Sequence, residues 1–218
     1  MSNLSVTRAV SARIPTEYGE FELVYYTNTS DNKAHLAFYM GDLSSGEDIL
    51  VRLHSECLTG DIFGSLRCDC GEQLDRSLQV IAEEGCGVVV YLRQEGRGIG
   101  LLQKIHAYNL QDAGHDTVDA NLLLGHQADE RDYTIAVRIL ENLDIKSVRL
   151  ITNNPLKISA LEEQGIKVNE RVELDNFVNP ENSQYLTTKA QRMNHLLSLT
   201  NIPPSIANSD SHKPQSAD

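Results

Sequence analysis

Three of the four cysteines fall in the stretch CLTGDIFGSLRCDCG, as Cys57, Cys68 and Cys70, with His54 and Glu56 just upstream. Thiolates gathered this closely suit a borderline-soft cation, and zinc takes sulfur and nitrogen donors in a tetrahedron. Cys68 and Cys70 flank a single residue, so a tight turn at Asp69 lets both reach one ion, and Cys57 closes the set from the preceding loop. The number of thiolates is informative. Structural zinc is normally closed by four protein ligands, whereas three leave a position for water, whose pKa the ion lowers to about 7. Two residues compete for the fourth place. Cys86 would make the site structural, although it stands just ahead of an apolar run, where free cysteine packs as a small hydrophobe. His54 is a ligand candidate and equally a candidate contact to substrate.

A second chemical feature lies downstream. Tyr91 to Ile105 carries Arg93, Arg97 and Lys104 against Glu95, a basic island in a chain of formal net charge −12. The acidic total disfavours nucleic acid as a partner, because release of phosphate counterions needs a dense basic surface. Local charge decides a small-anion site, and the glycine-flanked RQEGRG loop suits a phosphorylated ligand. An activated water beside such a loop points to hydrolysis on a nucleotide. The full zinc-deaminase signature, H-x-E with a later P-C-x-x-C, is not present.

The elements that must position these groups follow from length, composition and period. The 218 residues, 40% hydrophobic and 23% charged, suffice for one sizeable core without staples. MSNLSVTRAVSARIPTEYGEF holds no run of signal-peptide length, and the longest apolar stretch, GVVVYL, is too short to span a bilayer. A cytoplasmic protein with reduced thiols is expected. EFELVYY, HLAFYM and DILVRL, separated by turn residues, predict an N-terminal antiparallel meander. From Cys70 the period becomes helical through Leu74, Leu78 and Ile81, with Gly85 as C-cap. There follow a buried strand GVVVYL, the RQEGRG loop and a helix over Ile99 to Ala113. HDTVDANLLLGHQADERD reads as a second loop, Tyr133 to Leu143 as a helix, SVRLITN as a strand, Leu156 to Gln164 as a helix and IKVNERVEL as a strand. The alternation predicts an α/β protein, three layers α/β/α around a mixed sheet. A last helix is expected near Thr188 to Leu199. One catalytic domain over 1–199 is expected, then a polar, Pro- and Ser-rich tail over 200–218 that is expected to be disordered.

Taken in order, VRLHSECLTGDIFGSLRCDCGEQL, RQEGRGIGL, YNLQDAGHDTVDAN, ADERDY and TNNPLKISAL closely resemble GTP cyclohydrolase II, the zinc enzyme that begins riboflavin synthesis. The likeness runs from about Arg8 to about Leu197. It implies a three-layer α/β homodimer that converts GTP to a diaminopyrimidine ribosyl phosphate, formate and pyrophosphate, with magnesium on the phosphates. It also implies roles. Cys57, Cys68 and Cys70 hold one zinc ion. Arg52, Leu53, His54, Ser55, Glu56, Gln73, Glu95, Gly96, Arg97, Thr117, Thr152 and Lys157 line the GTP site. Tyr108 lies near the reacting ring, Asp129 is the proton acceptor, and Arg131 is the nucleophile toward the α-phosphate.

Several of these residues carry a second reading. A guanidinium stays protonated to a pKa above about 12, so Arg131 either loses its proton to Asp129 or clamps phosphate while water attacks. A mid-helix tyrosine such as Tyr108 also suits a core, and Thr152 also suits a helix cap. His106, His115 and His126 have no ligand spacing to the cysteines. The chain departs from the family's usual "ERVPL" and "KMGH" at Glu173, Arg192 and Asn194, away from the metal blocks. Two alternatives to the full reaction remain: a related enzyme that stops at the formamidopyrimidine or at GMP, and a nucleotide-sensing module with structural zinc. Family chains are often fused to a dihydroxybutanone phosphate synthase part. The resemblance starts near Arg8, so none is expected here.

Overall fold

The computed structural model describes residues 4–175 and 177–197, so the expected tail lies outside the described residues. One mixed sheet contains β1 (Val6–Thr16), β2 (Gly19–Asn28), β3 (His35–Met40), β4 (Ile49–Ser55), β5 (Gly87–Leu92), β6 (Ser147–Ile151) and β7 (Lys167–Val172). Their spatial order is β1-β2-β3-β5-β4-β6-β7. The pairs β1/β2, β2/β3 and β3/β5 are antiparallel, while β4/β5, β4/β6 and β6/β7 are parallel.

The meander differs from expectation at both ends. Its first strand is β1, whose residues VTRAVSARIPT are mostly exposed and lack clean alternation. The strand DILVRL does not close it: β5 pairs with β3, and β4 lies beyond β5. The cause is burial. All of β4 except Ser55 is buried, as is β5 except Tyr91, and strands apolar on both faces belong in the covered, parallel middle of a sheet.

Seven α-helices are found among the described residues: α1 (Leu58–Asp61), α2 (Cys70–Glu84), α3 (Gly100–Asp112), α4 (Thr117–Leu123), α5 (Thr134–Asn142), α6 (Pro155–Glu162) and α7 (Ser183–Arg192). Two clusters cover the two faces of the sheet. Val51, Leu53, Val88 and Val90 pack with Ile139 and Leu140 of α5 and Leu161 of α6. Leu50 and Val89 pack on the other face with Leu74, Leu78 and Ile81 of α2. Each fully buried side chain of this size contributes roughly 1.5–3 kcal/mol, so both layers are held firmly against the strands.

Three helices depart from the sequence reading, the first being α1, a single turn inside the cysteine stretch that is too short to show a period. The second loop contains α4, whose N-cap Asp116 accepts hydrogen bonds from the amides of Val118 and Asp119 at 2.7 and 2.9 Å. At seven residues it is too short to show a helical period. α7 starts at Ser183 rather than near Thr188 and stops at Arg192, because Asn194 adopts φ 54°. Among non-glycine residues asparagine best tolerates that left-handed conformation, so Asn194 suits the turn that ends the helix.

The chain passes from β4 to β5 on one side and later to β6 on the other. β4 is therefore a topological switch point, and in such sheets a crevice opens beyond the C-terminal strand ends. His54 and Ser55 end β4, Arg93 to Gly98 follow β5, and Thr152 to Asn154 follow β6.

Candidate active site

The sulfur cluster forms where α1 and α2 meet beyond the end of β4. Cys57 caps α1 and its amide donates to Asp61 Oδ2 at 3.0 Å; Cys70 is the first residue of α2, and buried Asp69 is the turn between the two downstream thiols. The three Sγ atoms lie within 4.8 Å of one another, with Cys57 and Cys68 3.7 Å apart. Two sulfurs at a zinc–sulfur distance of about 2.3 Å in a tetrahedron stand about 3.8 Å apart, so the donor set fits zinc. Gly60 supports the same conclusion: a Cβ there would lie 2.8 Å from Cys68 Sγ and 3.2 Å from Cys57 Sγ, so the cradle exists only with glycine.

The thiols also fit a cation electrostatically. Hydrogen bonds from Cys68 and Cys70, aided by the Lys104 ammonium 3.1 Å from its sulfur, hold Cys57 far below the ordinary thiol range. The contact with Cys57 in turn pushes Cys68 up to about 11 and Cys70 well above its usual value. Three touching thiolates coexist only with a positive ion among them. Cys86 is not near them. It precedes the start of β5, at the far end of the strand, and donates to the Asp42 carbonyl at 3.3 Å. His54 is engaged as well, its Nε2 3.0 Å from Asp61 Oδ1, while its buried Nδ1 has no partner among the described residues.

The RQEGRG loop is held by its own acid. Glu95 Oε2 accepts from the Leu58 amide at 2.6 Å, and Oε1 accepts from the Gly96 amide at 2.7 Å and from Lys104 Nζ at 2.8 Å. Gly96 and Arg97 adopt φ 64° and 63°. For arginine that conformation is strained, and it persists because the Arg97 carbonyl accepts from the Glu130 amide at 3.0 Å. This contact joins the loop to the segment that carries Arg131.

Beyond the thiols the cleft becomes a basic well. Arg52 is buried, donating to the Ile151 carbonyl at 3.1 Å and to Gln73 Oε1 at 2.7 Å, and burial lowers it to about 10. Lys157 donates to the Leu53 carbonyl at 2.6 Å; burial, then Arg52, Arg131 and Lys189, push it well below its ordinary value. Lys189 reaches Asp69 Oδ1 at 3.1 Å. Arg131 grips Asp129 with two guanidinium nitrogens, one of them Nε at 2.8 Å. Burial works against its charge, but Tyr133 and Asp129 hold Arg131 above its usual value. Five basic side chains, Arg52, Arg97, Arg131, Lys157 and Lys189, crowd this part of the cleft around the carboxylates of Asp69 and Asp129. Uncompensated buried charge is costly, and a bound polyanion removes that cost.

Most of the residues to which the resemblance gives a role line this one cleft: Cys57, Cys68, Cys70, Arg52, His54, Ser55, Glu56, Gln73, Glu95, Gly96, Arg97, Tyr108, Thr117, Arg131, Thr152 and Lys157. Two do not. The Leu53 side chain packs into the core, leaving only its carbonyl at the site, because alternate residues of β4 face opposite layers. Asp129 stands behind Arg131 rather than on the wall. Tyr108 borders the cleft beside Thr59, with the Arg67 guanidinium 4.9 Å from its ring centroid; burial raises its pKa to about 12, so it is a neutral phenol. Thr152 caps as well as lines, accepting from the Asn154 amide at 3.0 Å. Arg67, Tyr185, Lys189 and His195 also line the cleft. Arg67 stands inside the cysteine block and His195 ends the segment compared with KMGH, but neither position carries a local signal of a role in the site.

The fold and cleft define a mixed α/β protein that sets a three-thiol cluster able to hold a metal ion against a basic well. Residues 7–173 match the model of the GTP cyclohydrolase II family, and the chain belongs to that family. It is 53% identical over 192 residues to the riboflavin biosynthesis protein RibBA of Phocaeicola vulgatus, covering 88% of this chain and 48% of that protein. It is 54% identical over 194 residues to the RibBA of Bacillus mycoides, covering 89% of this chain and 49% of that one. Against the RibBA of Rhodococcus jostii the identity is 56% over 195 residues, covering 87% and 47%. The chain spans about half the length of the curated relatives it matches. None of the described helices is long and apolar enough to cross a membrane.

Proposed function

We propose that this chain hydrolyses GTP as a GTP cyclohydrolase II, opening the guanine imidazole ring and releasing formate and pyrophosphate in the first step of riboflavin biosynthesis. The observation that carries this reading is that the thiol cradle and the basic well share one cleft. Cys57, Cys68 and Cys70 would hold zinc, which when bound supplies Lewis acidity and an activated water for the electron-poor ring carbon. Lys104 and Glu95 tie that cradle to the RQEGRG loop, keeping the two halves of the site in register. Tyr108, a neutral phenol, donates a proton or a hydrogen bond beside the ring. Arg52, Arg97, Arg131 and Lys157 hold the triphosphate with its magnesium. The exposed Ile62, Phe63, Leu66, Leu102 and Ile105 support the homodimer that the family implies. Sulfurs held close yet unbonded suit the reducing cytoplasm.

One observation favours the clamp over the nucleophile for Arg131. Its fork is bidentate on Asp129 and its charge is reinforced by that partner. A group held this firmly in its protonated form neutralises phosphate and does not attack it.

The test is to incubate the purified chain with GTP, magnesium and zinc, and to assay formate, pyrophosphate and the pyrimidine chromophore together. All three should rise in step. Pyrophosphate without formate would mean an enzyme that stops early, and binding without turnover would mean a sensing module.

A further inference from the structure

The family match ends at Glu173, yet Tyr185, Lys189 and His195 line the cleft from beyond it. The segment that carries them is fastened at three places. Lys189 Nζ meets Asp69 Oδ1 at 3.1 Å, across 120 residues of sequence, and the other oxygen of Asp69 accepts from Gln73 Nε2 at 2.6 Å. Arg192 bridges Asp116 and Asp119 of α4, the latter at 3.0 Å. After the left-handed turn at Asn194, the Leu196 amide donates to the Asn153 carbonyl at 2.8 Å. This return of the chain brings the His195 ring to the cleft. The departure at Arg192 is therefore a structural contact, and Asn194 makes the turn.

The surroundings of the segment call for an anion. Arg97 lies 5.4 Å and Lys189 4.8 Å from the Tyr185 ring centroid. Burial, then Lys189, Arg131, Lys157 and Arg97, lower His195 to about 2, so its imidazole is neutral and can donate one hydrogen bond. A buried lysine with one carboxylate partner keeps further N–H donors to give.

We propose that the segment Ser183–Leu197 is a strap that carries Lys189 and His195 into the substrate site, where both bind the polyphosphate chain beside Arg131 and Lys157. The proposal rests on the nucleoside triphosphate reading above and adds to it two ligands from beyond residue 173, where the family model's match ends. Lys189 also neutralises Asp69, so the same strap steadies the turn between Cys68 and Cys70.

The test uses the full chain and inorganic tripolyphosphate as probe, with binding measured by calorimetry and GTP kinetics alongside. His195→Leu should bind tripolyphosphate at least about tenfold more weakly and raise the KM for GTP in parallel, the usual effect of losing a hydrogen bond to a charged group. His195→Gln, which keeps a neutral donor, should stay within about threefold of the wild type. Lys189→Met leaves Asp69 bare and risks the fold, so it is made together with Asp69→Asn, and that pair should also lose at least about tenfold. Tripolyphosphate binding as in the wild type, in both His195→Leu and the double variant, overturns the inference, and does so even if the wild type opens GTP, in which case the functional reading stands. Weakened binding in the variants of a protein that releases no formate supports the strap and sinks the reaction instead. A wild type that binds no tripolyphosphate sinks the strap outright.

Discussion

Substituting Gly60 by alanine perturbs the metal cradle without touching a ligand. The new Cβ would stand 2.8 Å from Cys68 Sγ, 3.0 Å from Cys70 Cβ and 3.2 Å from Cys57 Sγ. Carbon and sulfur normally meet no closer than roughly 3.5–4.0 Å, so the overlap with Cys68 alone is roughly 0.7–1.2 Å. Overpacking of that size costs on the order of 1–3 kcal/mol. In the metal-free chain the thiols can turn away from the methyl group. In the loaded chain they are needed in place, so the cost falls on the ion, and zinc affinity should drop about 5- to 150-fold. Helix propensity works in the opposite direction, since alanine is better than glycine in a helix by about 1 kcal/mol. The metal-free Gly60→Ala protein should therefore melt within a few degrees of the wild type while it loses the competition with a chromophoric zinc chelator. If Gly60→Ala holds zinc as tightly as the parent, the cradle is not where the ion sits.

Cys68→Ser should remove zinc and formate release together, whereas Cys86→Ser, at the other end of β5, should keep one zinc per chain by elemental analysis; equal loss in both would overturn the three-thiol site. Arg131→Lys keeps the charge but not the bidentate fork, so pyrophosphate and formate should both persist at a rate reduced about 10- to 100-fold in single-turnover quench, and complete loss of both would reinstate the nucleophile. His35 is buried, and burial, opposed by Asp31, lowers its pKa below the ordinary value. The unfolded chain therefore binds the proton first as pH falls below about 6.5, and the folded state loses stability from there down to the folded pKa. Urea melts between pH 7 and 5 should show this fall, and His35→Gln should flatten it by up to about 1.4 kcal/mol per pH unit; an unchanged slope would mean that His35 does not titrate on unfolding.

The thiol cluster was legible because its chemistry is local: Cys68 and Cys70 are two residues apart, and three thiols so near each other suit a soft cation. The helices α2, α3, α5 and α6 were legible for the same reason, since period and caps act within a few turns. The order of β4 and β5 was not. Both are apolar on both faces, and a pattern that reports burial does not report which buried neighbour a strand pairs with. Whether Leu53 contributes a side chain or a carbonyl depends on the direction in which β4 faces its layers, a consequence of the same pairing. The state of Arg131 depended on Asp129 folding back onto it in the burial of the finished site. Arginine by itself permits either role. Lys189 and His195 were illegible for the most physical of reasons. Their partners, Asp69 and the cations of the basic well, lie far away in sequence, and a lysine on a short polar helix has the same local pattern whether it faces water or a buried carboxylate. Residue type and spacing alone determined that this chain carries a three-thiol cluster suited to a metal ion and a basic loop on an α/β frame. Only the tertiary structure decided that the two share a cleft, because that follows from strand ends meeting at a switch point and not from anything either segment contains.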